Sequence, residues 1–383
     1  MKKIVYVTGS RAEYGVMRTL LQMLRDDPAF QLALIVTGMH LMKQYGSTID
    51  EIKKDGYHIE ATVDMKLSET TNTGMAKSLG YALIGITDAL TRSKPDLVLL
   101  VGDRGEMLAA AIAAAHLNIP IAHISGGDTT TGATVDELIR HAITKFADIH
   151  FPANENSAEN IIKLGENPRY VFPVGNPGIP VKYHVDEKRK QQIIKNFHLD
   201  IKKPILLVLQ HPVTTQVDQA ASQMRETMEA IKDLGMQTIV LYPNSDAGSK
   251  DMIHVIHEYE HIKFIQIYKN IHHDDFQDLM MLCDVIIGNS SCGLLEAPSF
   301  NLPAVNIGER QKGRGHTFNI INSDHNKDMI VKAVQHALTK EIKEKVKTLI
   351  SPYAKKNAEE NIIKILKEIN YHESLKAKFC EKN

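Results

Sequence analysis

Ser290 and Ser291 follow a short apolar run, Val285 to Ile287, that ends at Gly288 and reads as a buried strand. Serines placed where a strand meets a helix can cap that helix. The free N–H groups of its first turn then face the mouth of the sheet, a ready site for an anion such as phosphate. Glu296 follows one to two turns into the expected helix. A carboxylate repels phosphate but accepts two hydroxyl protons, so its place beside an anion site suits a ribose diol. The stretch reads as half of a nucleotide site, or otherwise as a plain capped helix.

Similar residues recur at the ends of other apolar runs. Ile4 to Val7 leads into Gly9-Ser-Arg-Ala-Glu-Tyr-Gly15, a strand–glycine–helix entry without the dinucleotide spacing of glycines, with Arg11 inside the loop. The run from Asp96 to Val101 ends in Gly102-Asp103-Arg104, and the run from Ile119 to Ile124 ends in Ser125-Gly126-Gly127-Asp128. A polar loop, Thr129 to Thr134, precedes a helix that opens with Asp136 and carries Arg140. Further on, Ile205 to Leu209 ends in Gln210-His211-Pro212, Thr238 to Tyr242 precedes Asn244, and Arg310 follows the run from Ala304 to Ile307. Ligands of open α/β sheets bind at the carboxyl ends of strands, and all these groups fall on that edge. Two or more carboxylates with separated pKa values in one cleft can accept and donate protons, with His211 titrating near neutrality. The expected chemistry is acid/base work on an anionic, polyhydroxylated ligand. Two other groupings are read as structural. Adjacent His272-His273 before Asp274-Asp275 point apart and suit a loop and helix start better than a metal site, and Cys292 suits a small buried residue.

The elements that must position these groups alternate. Strand and helix follow one another from the N-terminus to a fifth short strand at Ile149 to Pro152, with helices over Met75 to Leu90 and Glu106 to His116. This is the pattern of a doubly wound parallel sheet. Val174-Gly-Asn-Pro-Gly-Ile-Pro180 reads as a linker. A second set of strands then begins, and Phe264 to Tyr268 is one of them. The expected domains are residues 1–175 and 180–350, with no detectable repeat between them. A final helix, about Ala354 to Ile369, puts Ala358, Ile362, Ile365, Leu366 and Ile369 on one face, and the tail from His372 is polar. The length of 383 residues suits two domains, and 43% hydrophobic with 24% charged residues is ordinary for a soluble chain. A net charge of -1 argues against nucleic acid or an anionic membrane as partner. Three cysteines without a C-x-x-C pair argue against a disulfide framework or structural zinc. The opening residues do not form a signal peptide, no apolar run reaches membrane-spanning length, and a cytoplasmic protein is expected.

Taken in order, Gly9-Ser-Arg-Ala-Glu-Tyr-Gly15, Val36-Thr-Gly-Met-His40, Gly102-Asp-Arg104, His123-Ile-Ser-Gly-Gly127, Ile139-Arg-His-Ala-Ile-Thr-Lys145, Gln210-His-Pro-Val-Thr-Thr215 and Gly288-Asn-Ser-Ser-Cys-Gly293 resemble the UDP-N-acetylglucosamine 2-epimerases over nearly the whole chain. They look most like the hydrolysing branch, which feeds bacterial sialic-acid synthesis and converts UDP-GlcNAc and water into UDP and N-acetylmannosamine. The resemblance implies a GT-B-like pair of Rossmann-like domains facing a cleft, with a C-terminal helix crossing back to the first. It implies UDP held mainly by the second domain, Ser290 and Ser291 at the diphosphate and Glu296 at the ribose. Arg11, Arg104, His211, Asn244 and Arg310 would contact the phosphates or line the pocket. Asp103, Asp136 and His211 would fall on catalytic positions, with Arg140 near them. It implies elimination to 2-acetamidoglucal followed by hydration, no cofactor or metal, and a dimer or tetramer.

One position departs from the pattern. Many hydrolysing members read His-Ile-Glu-Gly-Gly-Glu where this chain has His123-Ile-Ser-Gly-Gly-Asp128, so a family glutamate is Ser125 here. Asp128 is the candidate substitute, or Asp136 and Glu137 divide the work. Related branches act on UDP-diacetylbacillosamine-type sugars, which is the alternative substrate, and the non-hydrolysing UDP-GlcNAc 2-epimerases share fold and site, which is the alternative reaction.

Overall fold

The computed structural model describes residues 1–67, 69–132 and 135–376. Six parallel strands form the first sheet: β1 (Lys2–Thr8), β2 (Phe30–Thr37), β3 (Ile59–Val63), β4 (Leu97–Val101), β5 (Ile121–Ile124) and β6 (Ile149–Phe151), in the order β3-β2-β1-β4-β5-β6. Six more form the second: β7 (Ile205–Leu209), β8 (Gln237–Leu241), β9 (Ile265–Tyr268), β10 (Val285–Gly288), β11 (Ala304–Ile307) and β12 (Ile320–Ser323), in the order β12-β11-β10-β7-β8-β9. Read from the opposite edge, the second order repeats the first. Both are the doubly wound arrangement whose direction reverses beside the first strand. The central strands β1, β4, β7 and β10 are continuous apolar runs because helices cover both faces.

β3 and β12 have no counterpart among the sequence expectations. Both are edge strands, half exposed and carrying polar residues, so they lack the continuous apolar run that marks a central strand. The alanine-rich helix Gly105–His116 buries Ala109, Ala110, Ala111, Ala113 and Ala114, which lets it lie close on the sheet as expected. The last long helix begins at Ala358 rather than Ala354, after Asn357 in a left-handed turn (φ 59°). Its Ile362, Ile363 and Leu366 complete the core of the first domain beside Ile4, Tyr6 and Leu20, so the chain crosses back to where it began. Ile363 takes the inward place, while Ile365 and Ile369 are only partly buried. Lys2 Nζ donates to the carbonyls of Leu366, Lys367 and Ile369, each at 2.9 Å, and so caps that helix. Tyr371–Lys376 forms a short further helix. The rest of the polar tail, Cys380 included, and Ala133 and Thr134 of the polar loop lie outside the described residues. No helix among the described residues is long and apolar enough to cross a membrane.

Candidate active site

The direction of each sheet reverses between β1 and β4 and between β7 and β10. The loops leaving these four strands carry Arg11, Asp103, Arg104, His211, Ser290 and Ser291. Splayed loops at a reversal leave a crevice, which is where open α/β sheets take ligands. Here the two crevices face each other across one cleft of about 300 Å³. Twelve of the residues singled out in the sequence line it: Arg11, Asp103, Arg104, Asp128, Asp136, Arg140, His211, Asn244, Ser290, Ser291, Glu296 and Arg310. Glu137, offered as a partner of Asp136, is not among the lining residues and is held instead by Arg140, Thr130 and His141. The linker contributes too, through Asn176 and Ile179.

In the second domain Asn289 organises the crevice. Its side chain accepts from the His211 N–H (2.7 Å) and donates to the His211 carbonyl (2.8 Å), tying the loop after β10 to the loop after β7. Gly288 (φ 133°) permits this, because a Cβ there would collide with the Leu209 carbonyl. The expected helix after Ser291 is a single turn, Cys292–Leu295, followed by a 3-10 turn from Ala297. Pro298, two residues past Glu296, cannot continue an α-helix. Glu296 therefore sits at the junction and not inside a helix. The first-turn N–H of Cys292 also faces Ser290 Oγ (3.5 Å). The helix terminus is therefore short and partly occupied, and the polar groups lining the cleft at this point are the serine hydroxyls and the arginines. Glu296 has no hydrogen-bond or ion-pair partner among the described residues, and burial pushes its carboxyl up to about 7. Cys292 is buried and its thiol is pushed up to about 12 by burial and then by Glu296, so it is a packing residue as read.

His211 does not titrate near neutrality as the sequence suggested. Burial, then Arg310, Arg11 and Arg104, hold its pKa well below the usual imidazole value. Its Nδ1 accepts the Asn244 backbone N–H (3.0 Å), so the neutral ring carries its proton on Nε2 and is a hydrogen-bond donor. The Asn244 side chain donates to Asp246, a buried carboxylate that also takes Arg104 Nη2 at 3.3 Å.

In the first domain the cleft carboxylates Asp103, Asp128 and Asp136 already have partners. Arg140, 2% exposed, gives both Nε (3.1 Å) and Nη2 to Asp103 Oδ2, and Nη1 to Glu137 and to the Asp128 carbonyl (3.0 Å). Burial alone would raise the Asp103 pKa, but Arg140, Arg314 and Arg310 outweigh it and hold the group well below the usual carboxylate range. Asp136 shifts the opposite way, raised by burial and by the charge of Asp103 despite Arg310 Nη2 at 3.2 Å. Asp128 accepts Ser157 Oγ (2.9 Å) and faces Arg314. Ser125, at the departed glutamate position, is left-handed (φ 63°) and donates to Asn176 Oδ1 (2.8 Å). Arg11 reaches across to the Tyr242 carbonyl (3.1 Å) and Asn270 Oδ1 (3.2 Å), so it bolts the domains together as well as lining the cleft.

Sequence reasoning overlooked Glu13, Asp246, Arg314 and Asn176. Glu13 is buried under the cleft floor, where it accepts the N–H groups of Gly9 (2.7 Å) and Ser10 (3.0 Å) and burial lifts it to about 7. The spacing Ser10-x-x-Glu13 is that of a capping box and could have flagged it. His272 precedes the helix His273–Leu282, as the loop reading held, while His273 lines the cleft and is lowered by burial to about 4.

Two facing doubly wound domains, with a ligand cleft between their reversal points and a terminal helix returning to the first, define a GT-B-like α/β protein. Residues 22–367 match the family model described as UDP-N-acetylglucosamine 2-epimerase, and the chain belongs to that family. It is 41% identical to the UDP-N,N'-diacetylbacillosamine 2-epimerase (hydrolyzing) of Legionella pneumophila, covering 89% of this chain and 90% of that one. It is 36% identical to polysialic acid biosynthesis protein P7 of Escherichia coli, over 96% and 94% of the two chains. The fold is shared with the UDP-GlcNAc 2-epimerase of Neisseria meningitidis crystallised with UDP-GlcNAc, at a TM-score of 0.76 and 19% identity, over 95% and 99% of the chains.

Proposed function

We propose that this protein is a hydrolysing 2-epimerase of a UDP-2-acetamido sugar, with UDP-GlcNAc the first substrate to test. The observation that carries the reading is the set of carboxylates gathered in one cleft, Asp103 held by Arg140 and Asp136 by Arg310, opposite a Glu296 side chain with no partner among the described residues. Burial and these charges push Asp103 down and Asp136 up. Glu296 accepts the two ribose hydroxyls. Ser290, Ser291, Arg310 and the Nε2–H of His211 meet the diphosphate and stabilise it as it leaves C1 with the bonding pair. Asp103 is ionised at rest, and both Arg140 bonds fall on Oδ2, so Oδ1 is the oxygen that takes the C2 proton. Water then adds at C1 of the 2-acetamidoglucal and gives its second proton to solvent, while Asp136 returns a proton to C2 on the opposite face. Asp103 then releases its proton to solvent and Asp136 regains one.

A second reading has its own support. Ser125 is far shorter than a glutamate, which leaves room beside Asn176 for a larger sugar substituent. The Legionella relative carries the diacetylbacillosamine name. The test is to incubate the protein in heavy water with UDP-GlcNAc and, in parallel, with UDP-N,N'-diacetylbacillosamine, and to follow the proton spectrum. Free UDP with a 2-epimerised sugar carrying deuterium at C2 supports the reading and names the substrate. A growing UDP-linked epimer without free UDP points to reversible epimerisation and overturns the hydrolysing assignment.

A further inference from the structure

The loop after β11 crosses from the second domain into the first. Thr131 donates its backbone N–H to the Lys312 carbonyl at 2.7 Å. A Cβ on Gly132 would collide with the carbonyls of Glu309 and Arg310, and Gly313 (φ 81°) packs against Thr131. Glycine on each side is what lets the two backbones touch. The loop carries two arginines four residues apart. Arg310 pairs with Asp136, and Arg314 lies across Asp128, its Nε 3.2 Å from Oδ2. Arg314 has a side chain only 9% exposed and lines the cleft. One of its nitrogens, Nη1, donates to Gln311 Oε1 at 3.0 Å. Its Nε–H is in ion-pair range of Asp128 but off the line of a hydrogen bond, and is left buried and unused. Burying an unused charged donor is costly unless a further ligand atom or a closer approach uses it.

We propose that Arg314 is a positioning residue for the reaction: reaching over from the second domain, it sets Asp128 and Asp103 at the sugar end of the cleft, so that the carboxylate set is complete only while the domains are together. This rests on the epimerase reading of the site. Asp103 is faced by Arg140 and Asp136 from the helix Val135–Phe146, by Arg310 and Arg314 from the crossing loop, and by His123 from β5. Of the cations among these, Arg140 belongs to the first domain, and the other two arrive only with the loop. Without the crossing loop Asp103 keeps only Arg140 of these cations, Asp136 loses Arg310 and Asp128 loses Arg314.

The test compares Arg314→Gln and Arg314→Lys with the parent. Arg314→Gln is expected to lower kcat about 100-fold with KM and the UDP-induced rise in Tm nearly unchanged. It should also move the acidic limb of the kcat/KM profile to higher pH, because Asp103 loses a cation that keeps it ionised. Arg314→Lys should return the limb toward the parent position while leaving part of the rate loss, since a point charge replaces the planar fork. Exchange of the Thr131 amide, followed by mass spectrometry, should quicken in Arg314→Gln. A rate loss with the limb unmoved and the UDP response gone would mean a merely structural arginine and overturn the proposal. If the parent releases UDP from neither sugar, the epimerase reading and the positioning role in it fall together. Thr131 exchange then still judges the crossing itself, and an unchanged rate in Arg314→Gln removes that as well.

Discussion

The two domains share one topology and use it in opposite ways. In the first, the acidic groups at the strand ends are bound before any ligand arrives: Asp103 to Arg140, Asp128 to Ser157 and Arg314, Glu13 to two backbone N–H groups. In the second, Glu296 stands without a partner, and the serines beside it carry no competing charge. A paired carboxylate has its protonation set by the protein, whereas a bare one waits for a ligand to set it. On the proposed function, the same fold would thus supply a fixed acid–base half and a receptive nucleotide half. Sequence similarity is not needed for that division, since the halves show no repeat.

The sharpest way to break this contrast is Asp103→Asn. Turnover should fall about 1,000-fold while UDP affinity, a property of the other domain, stays within a few-fold by calorimetry. A parallel loss of UDP binding would show the halves are not separable. Arg140→Leu tests whether the first half is set in advance. Removing one member of a buried, charged network should cost about 3–5 kcal/mol in urea unfolding, with or without ligand.

Glu296→Gln addresses the other side: UDP affinity should weaken about 10- to 100-fold, with stability unharmed because no protein partner is lost. The pH response follows from the same group. Its carboxyl is raised to about 7, and the diol binds the ionised form. Binding should therefore strengthen as pH rises to about 7 and level off above it. Below that, affinity should fall about tenfold per pH unit and UDP binding should release a proton. Titrations in buffers of different ionisation heat would show this, and Glu296→Gln should flatten the curve. The smallest effect is expected from Ser291→Ala, about fivefold in UDP affinity for one neutral hydrogen bond.

The sequence was legible where a residue's position depends on its own strand. Continuous apolar runs marked the central strands, and the polar residues just beyond them are the cleft residues, because strand ends at the reversal points converge by topology. Legibility stopped where position depends on the partner. Arg314 has no local signal, since its role appears only when the crossing loop meets the 128–132 turn. His211 differs for the same reason: burial between the domains, and then three arginines from distant segments, keep the ring neutral. The helix after Ser291 was read as longer than it is, although Pro298 stood in view.

The return of the last helix to the first sheet also fixes an order of assembly on the ribosome. The first domain's strands are made before the second domain, yet its core lacks Ile362, Ile363 and Leu366 until the segment after the second domain has been made. Until then Lys2 has no helix end to cap, and an apolar groove beside β1 stays open to solvent. The second domain, encoded entirely in between, can close its own core first. A chain cut short before Ala358 is therefore expected to leave the first domain's core incomplete, because residues beyond the second domain close it.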